Sequence, residues 1–358
     1  MTWLGEQLGR IADEMPERDL GARAIAIHRR RRRNVLTLAA AAVVVVTMLA
    51  ATVGVRALSA QPPAATRPPA PPELSTISIG LVPTVESAPV MVAMHEGYFK
   101  EEGLTVEMKF VTGAAVVVPQ VEAGMLDLAQ TDYATVFRTN EVGRKFKIVA
   151  SLYQAAPGSF AIVVNARSKI RTVADLRRRK VAVPNLTGLG PLTLTGVLKR
   201  AAGLTLKDVT QVETPNPEMI DALEKGRVDA ALLAEPFVTT GRLSGRTRIV
   251  ADAMTADFAN LYTAGVTATQ KWISRNPRTL AAFQRALAKA QRLIARDPQQ
   301  AREMLPRYMK LTMRTVADVK LGAYPAELDL TELQRVADLA HTYGLLRRPA
   351  PDAGATVS

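Results

Sequence analysis

The sequence predicts an α/β protein built from two similar lobes, and an internal repeat is the main reason for that prediction. The stretch Glu122–Ala129 returns, with conservative changes, as Glu224–Ala231. Two shorter motifs precede each copy in the same order: Gly-Leu-Thr at 103–105 and 203–205, and Val-Pro at 82–83 and 183–184. Two copies indicate a duplicated domain, because a solenoid needs at least three repeats.

Each copy alternates short runs rich in β-branched residues with stretches of helical apolar spacing, and a glycine follows its second helix. In the first copy we expect strands over Thr76–Leu81, Thr105–Val111 and Leu126–Gln130, with helices over Ser87–Glu96 and Ala114–Ala123. In the second copy we expect strands over Lys180–Val183, Thr210–Glu213 and Ala230–Leu233, with helices over Leu189–Ala202 and Pro217–Lys225. This alternation predicts a mainly parallel sheet in each lobe.

The predicted sheets also indicate where a ligand would bind. In open α/β sheets, ligands lie beyond the carboxyl ends of the strands, where loops lead into helix N-termini. Two such sheets facing each other form a cleft lined by loops of both lobes. The sequence therefore predicts a ligand-binding cleft between the lobes.

The amino-terminal part differs in kind from the rest. Residues 1–34 end in five consecutive arginines, Arg29–Arg33, and are predicted to be a basic cytoplasmic tail. Residues 35–57 are long and apolar enough for a single transmembrane helix, and residues 58–75 form a Pro-rich linker. A signal peptide cleaved near Ala60 is the alternative, but the long apolar run favours an uncleaved anchor with the lobes outside the cell.

Composition excludes several classes of function. The chain has no cysteine, so it has neither disulfides nor a cysteine-attached lipid, and its three histidines show no metal-ligand spacing. No catalytic motif appears, which predicts a protein that is not an enzyme and needs no cofactor or metal. The net charge of +13 could attract an anionic solute. A generally basic surface is the simpler interpretation, and no motif indicates nucleic-acid binding.

Several motifs resemble one family of proteins. They are Ile79–Pro83, Ala88–Ala93, Glu96–Phe99, Glu102–Glu107, Ser168–Leu176, Lys180–Pro184, Ala222–Ala230 and Ala234–Phe237. In this order they resemble the substrate-binding proteins of ABC importers, in the group that binds nitrate, sulfonates, taurine and thiamine precursors. That group is similar in turn to fungal enzymes that make the thiamine pyrimidine, whose active sites contain cysteines that this chain lacks.

The resemblance implies the two-lobed type II periplasmic-binding-protein fold, with two hinge crossings placed near Phe160–Asn165 and Tyr262–Thr267. Lobe 1 would comprise 76–160 and 268–345, lobe 2 would comprise 161–267 with the hinges, and 346–358 would be a disordered tail. Helices over 278–296, 298–307 and 331–343 would pack on lobe 1.

The same resemblance implies a receptor that closes on a small solute and delivers it to an ABC permease, with anionic and heteroaromatic compounds as the two candidate classes of solute. Many relatives are tethered through a lipidated cysteine, for which the transmembrane helix would substitute here. The cytoplasmic tail leaves an alternative open, a membrane-anchored sensor that signals through that tail.

Candidate ligand contacts follow the strands of both lobes. The candidates in lobe 1 are Thr84, Glu86, Ser87, Thr112, Gly113, Asp132 and Tyr133. Those in lobe 2 are Asn185, Thr187, Gly188, Asn216 and Glu235. The loop 185–190 opens a helix and is a candidate anion site, because free backbone N–H groups and the helix dipole converge there. For Glu86, Ser87, Asp132 and Asn216 helix capping is the competing interpretation, and for Glu235 it is a hinge salt bridge.

Overall fold

The computed structural model describes residues 70–358. The predicted tail (1–34), transmembrane anchor (35–57) and most of the linker (58–75) lie outside these residues. Among residues 70–358, no helix combines the length and apolar character needed to cross a membrane.

The segment 76–154 supplies four of the five strands of the lobe 1 sheet. Its elements are β1 (Thr76–Leu81), α1 (Ala88–His95), α2 (Tyr98–Glu101), β2 (Thr105–Phe110), α3 (Ala114–Glu122), β3 (Leu128–Asp132), α4 (Tyr133–Glu141) and β4 (Phe146–Gln154). Lobe 2 follows with β5 (Phe160–Asn165), β6 (Lys180–Val183), α5 (Leu189–Ala202), β7 (Thr210–Glu213), α6 (Asn216–Glu224), β8 (Ala230–Ala234), α7 (Phe237–Leu243) and β9 (Thr247–Asp252). The chain then returns to lobe 1 with β10 (Tyr262–Thr269), α8 (Gln270–Arg275), α9 (Pro277–Arg296), α10 (Gln299–Tyr308), α11 (Met313–Asp318) and α12 (Leu330–Thr342).

The two sheets have the same topology. Lobe 1 has the strand order β2-β1-β3-β10-β4, and lobe 2 has the order β7-β6-β8-β5-β9. In each sheet the three strands of the repeat are parallel, while the other two run antiparallel to their neighbours. The duplication inferred from the sequence is thus confirmed, and the sheets are mixed because each lobe adds two antiparallel strands.

The aspartates of the repeat, Asp127 and Asp229, form equivalent hydrogen bonds in the two lobes. The side chain of Asp127 accepts a hydrogen bond from the backbone N–H of Ser78 at 2.7 Å, and Asp229 accepts one from Lys180 at 2.8 Å. Each bond ties the start of the third strand of a repeat to the start of its first strand. Gly124 and Gly226, three positions before these aspartates, both adopt left-handed backbone, with φ of +70° and +65°. The repeated motif therefore serves the fold rather than ligand binding.

The hinge crossings differ from those expected. Phe160–Asn165 is β5 of the lobe 2 sheet, and the second expected segment belongs to β10 of the lobe 1 sheet. The chain crosses instead in the loops before these strands, at residues 155–159 and 253–261. Ala155 N donates to Leu261 O at 2.8 Å, which joins the two crossings side by side. A run of β-branched residues predicts a strand, but it does not predict to which sheet the strand belongs.

The carboxyl-terminal part covers lobe 1. Helix α9 is amphipathic and buries its apolar face, so that the ring of Phe283 stacks on Phe99 with centroids 5.3 Å apart. The carboxylate of Glu73, in the expected linker, accepts a hydrogen bond from Thr279 N at 2.7 Å and so fixes the start of α9. Residues 346–358 pack on the same lobe in place of the expected disorder. Leu346 and Ala353 are buried there, and Val357 forms a parallel bridge with Ile148.

Candidate functional site

A cavity of about 80 Å³ lies between the two lobes, at the carboxyl ends of the parallel strands. Lobe 1 lines it with Val82, Thr84, Glu86, Thr112, Gly113, Gln130, Thr131 and Asp132. Lobe 2 lines it with Phe160, Pro184, Asn185, Leu189, Gly190, Asn216, Leu232 and Ala234. Each parallel strand contributes through its last residues or the loop after it, as expected for an open α/β sheet.

Glu86 is held by lobe 1 at the edge of this cavity. Its Oε1 accepts a hydrogen bond from the Thr263 hydroxyl at 2.9 Å, and its Oε2 accepts from Gln130 Nε2 at 3.2 Å and Thr84 Oγ1 at 3.3 Å. Burial raises the pKa of Glu86 to about 7; the hydrogen bonds oppose this rise, and the nearby charge of Asp132 adds to it. Glu86 therefore changes charge near neutral pH.

Asp132 connects the two lobes. It caps α4 of its own lobe, where Oδ1 accepts from Thr135 N at 2.8 Å and Oδ2 from Thr135 Oγ1 at 2.7 Å. The same Oδ1 also accepts from Leu189 N, in the first turn of α5 in lobe 2, at 2.9 Å. Burial raises the pKa of Asp132, against the hydrogen bonds from Thr135, Leu189 and Asn185. The N-terminus of α5, the expected anion site, is thus occupied by a carboxylate of the protein itself.

Gly188 permits this close approach of the lobes. A Cβ atom at this position would lie 2.2 Å from Thr135 Oγ1 and 2.7 Å from Asp132 Oδ2, both in the opposite lobe. Real Cβ atoms essentially never approach other heavy atoms so closely, so glycine is needed here for space. The described structure is therefore a conformation in which the lobes touch at this point.

The structure brings seven of the twelve predicted residues to the cavity wall and leaves five away from it. Those on the wall are Thr84, Glu86, Thr112, Gly113, Asp132, Asn185 and Asn216. Those not on the wall are Ser87, Tyr133, Thr187, Gly188 and Glu235.

Two of the five residues away from the wall are buried in lobe 1, where they have structural partners. The buried Ser87 hydroxyl donates to Gln130 Oε1 at 2.7 Å. The Tyr133 ring is fully buried, and its hydroxyl lies 3.1 Å from Ser151 Oγ.

Glu235 forms a second contact between the lobes and does not form the expected hinge salt bridge. Its Oε1 accepts from the backbone N–H of Lys320, in the carboxyl-terminal part of lobe 1, at 3.0 Å. Both oxygens also accept from Thr239, at 2.7 and 3.0 Å, so the side chain is fixed to the first turn of α7. Glu235 is only 1% exposed, and its hydrogen bonds hold the hinge side of the lobes together.

Gln130 is not among the predicted site residues, although it lies on the cavity wall and forms hydrogen bonds with three other residues. Its Oε1 accepts from Val82 N at 3.0 Å and from Ser87, and its Nε2 donates to Glu86. The available signal was the polar run Gln130, Thr131 and Asp132, which directly follows the apolar residues Leu128 and Ala129. Polar residues buried in a strand require partners and often mark a site.

Solved structures share this fold. The alkanesulfonate-binding protein SsuA from Xanthomonas axonopodis pv. citri, bound to MOPS, superposes with a TM-score of 0.67 at 19% identity, covering 79% of this chain and 98% of that one. The periplasmic nitrate-binding protein NrtA from Synechocystis PCC 6803 gives a TM-score of 0.68 at 14% identity, covering 80% and 86%. The two-lobed periplasmic-binding-protein fold is therefore confirmed.

Curated relatives have similar sequences. The riboflavin-binding protein RibY of Chloroflexus aurantiacus is 26% identical over 271 residues, which are 74% of this chain and 73% of that protein. A putative aliphatic sulfonates-binding protein of Bacillus subtilis is 27% identical over 227 residues, 61% of this chain and 65% of its own length. Residues 84–301 match the family described as NMT1/THI5 like. The chain belongs to the NMT1/THI5-like family, whose homologues include the sulfonate- and nitrate-binding substrate-binding proteins of ABC importers.

Proposed function

We propose that this protein is the extracytoplasmic solute-binding receptor of an ABC importer and that it has no catalytic role. The observation that carries the proposal is the cavity between two lobes joined by two crossings, with polar side chains of both lobes on its wall. A solute in this cavity contacts both lobes, so its binding energy favours the closed arrangement over the open one. The closed form would then dock on a permease.

We propose further that residues 35–57 anchor the receptor in the membrane, with residues 1–34 in the cytoplasm and the lobes outside. The arginine run directly before the apolar segment supports this orientation. The relatives are named as proteins that bind or import solutes, which favours an importer receptor over the sensor alternative.

Small-angle scattering and calorimetry on the purified full-length chain test the receptor function. The expected result is a solute that binds with 1:1 stoichiometry and reduces the radius of gyration, because the lobes close over it. Substrate turnover by the purified chain, or binding without any change in dimensions, would contradict the proposal.

A further inference from the structure

The chemistry of the cavity wall restricts the class of solute. Within the described part of the chain, the wall contains two carboxylates, Glu86 and Asp132, and none of its residues is Lys, Arg or His. The nearest ready-made anion site, the N-terminus of α5, is already filled by Asp132. An anionic solute would therefore meet two carboxyl groups with no cationic side chain to compensate.

A second observation concerns Asn216 in lobe 2. This residue is 7% exposed and borders the cavity, yet its side-chain Oδ1 is buried without a hydrogen-bond partner. A buried acceptor left without a donor is unfavourable, and such groups are usually satisfied by protein, water or ligand. This acceptor therefore indicates a hydrogen-bond donor on the ligand.

Glu86 offers a matching acceptor from lobe 1. Its carboxylate receives three hydrogen bonds from the protein, whereas an ionised carboxylate has about four acceptor positions. Asp132 already receives four contacts, from Thr135, Leu189 and Asn185. Glu86 in lobe 1 and Asn216 in lobe 2 are thus two acceptors on the cavity wall with capacity to spare.

Resting on the receptor function proposed above, we infer that the cleft binds a solute with N–H donors, as a cation or a neutral amino compound, and rejects sulfonates and nitrate. N–H groups at the two ends of such a solute would donate to Glu86 and Asn216 and so connect the lobes. The charged form of Glu86 would strengthen this bond when the solute is a cation. The cavity of about 80 Å³ fits a small group of this kind without further opening.

Acetamidinium and acetate form a matched pair of probes, because they have nearly the same shape but opposite charge and opposite hydrogen-bonding roles. Calorimetry or ligand-observed NMR on the full-length chain at pH 8 should show binding of acetamidinium at least about 10-fold tighter than acetate, by charge-assisted hydrogen bonding. Acetamide tests the neutral arm and should bind between the two. Methanesulfonate and nitrate should bind no better than acetate.

Two variants locate the binding. Glu86→Gln should weaken acetamidinium by about 10-fold to 100-fold, and Asn216→Leu by about 3-fold to 10-fold, the ranges typical of a charged and a neutral hydrogen bond. Glu107→Gln, an exposed carboxylate on β2, is the matched control and should change nothing. Circular dichroism verifies that each variant is folded.

The outcomes separate this inference from the receptor function. Tighter binding of acetate, methanesulfonate or nitrate than of acetamidinium would overturn the inference and leave the receptor function standing. Equal binding of acetamidinium to the wild type and to Glu86→Gln would also overturn it. Absence of binding by every probe would overturn the inference alone, because scattering and calorimetry with other solutes test the receptor function.

Discussion

Gly188→Ala should hold the lobes apart. The new methyl group would lie 2.2 Å from Thr135 Oγ1 and within 2.8 Å of both Asp132 oxygens. Because hydrogen bonds of the α4 cap hold both side chains in place, we expect the lobes to separate locally to accept it. Separation breaks the hydrogen bond from Leu189 N to Asp132 Oδ1, which is 2.9 Å long. Hydrogen bonds to charged groups contribute about 1.5–3 kcal/mol. The closed form should therefore lose that amount relative to the open form.

The loss should appear as weaker solute binding with an intact fold. A shift of about 1.5–3 kcal/mol lowers the closed-to-open ratio by about 10-fold to 150-fold, and the affinity of a solute that needs the closed form falls by the same factor. The clash is between atoms of different lobes and lies in neither core, so the melting temperature of the protein without solute should change little. Calorimetry measures the affinity, and small-angle scattering measures the opening.

Gly354→Ala is the matched control for this prediction. Gly354 lies in the carboxyl-terminal segment, where a Cβ would meet only Asp352 side-chain atoms at 3.2 Å or more. This variant should bind solute like the wild type. If Gly188→Ala bound solute as tightly as Gly354→Ala and had the same radius of gyration, the proposed role of the Asp132 contact in closure would be refuted.

Three further predictions concern charge, the repeat and the tail. The pKa of Glu86 rises from 4.5 in the unfolded chain to about 7 in the folded protein, so protonation of Glu86 favours the folded state. The free energy of unfolding should therefore fall by up to about 3 kcal/mol as the pH rises from about 5 to above 7. The Glu86→Gln variant should therefore have a higher melting temperature than the wild type at pH 8 and the same melting temperature at pH 5. The same difference in melting temperature at both pH values would contradict the raised pKa of Glu86. Asp229→Ala removes the acceptor for Lys180 N, an exposed hydrogen bond that water can replace in part, and should lower the free energy of unfolding by about 0.5–1.5 kcal/mol without altering solute affinity; altered affinity at unchanged stability would mean that Asp229 serves the site. Deleting residues 347–358 removes the β-bridge between Val357 and Ile148 and the buried Ala353, and should lower the melting temperature by several degrees; an unchanged melting temperature would show that the segment adds no stability.

Much of the fold could be predicted because the repeat fixes both the order and the type of its elements. The strands Thr76–Leu81, Lys180–Val183 and Thr210–Glu213 and the helix Leu189–Ala202 have the predicted bounds. Their signals are local: β-branched runs, apolar helical spacing and glycine at helix ends. The hinges could not be placed because sheet membership depends on pairing between strands distant in sequence.

The site was predictable to the level of its loops but not of its contacts. Residues after parallel strands reach the cavity for topological reasons, which explains Thr84, Thr112 and Asn185. Sequence could not show that Asp132 of one lobe would fill the helix N-terminus of the other, because that contact spans 57 positions in the chain and depends on how the lobes meet. For the same reason, the sequence could not show that the Tyr133 ring is buried in the core of lobe 1.

A distance measurement across the cleft tests the central claim, that two lobes close over a solute. The chain lacks cysteine, so Lys109→Cys with Glu213→Cys introduces the sole labelling sites, on exposed positions near the carboxyl ends of β2 and β7. Pulsed electron spin resonance on the labelled full-length chain should give a shorter and narrower distance distribution with saturating acetamidinium than without it. Distributions that coincide with and without a solute shown by calorimetry to bind would contradict closure.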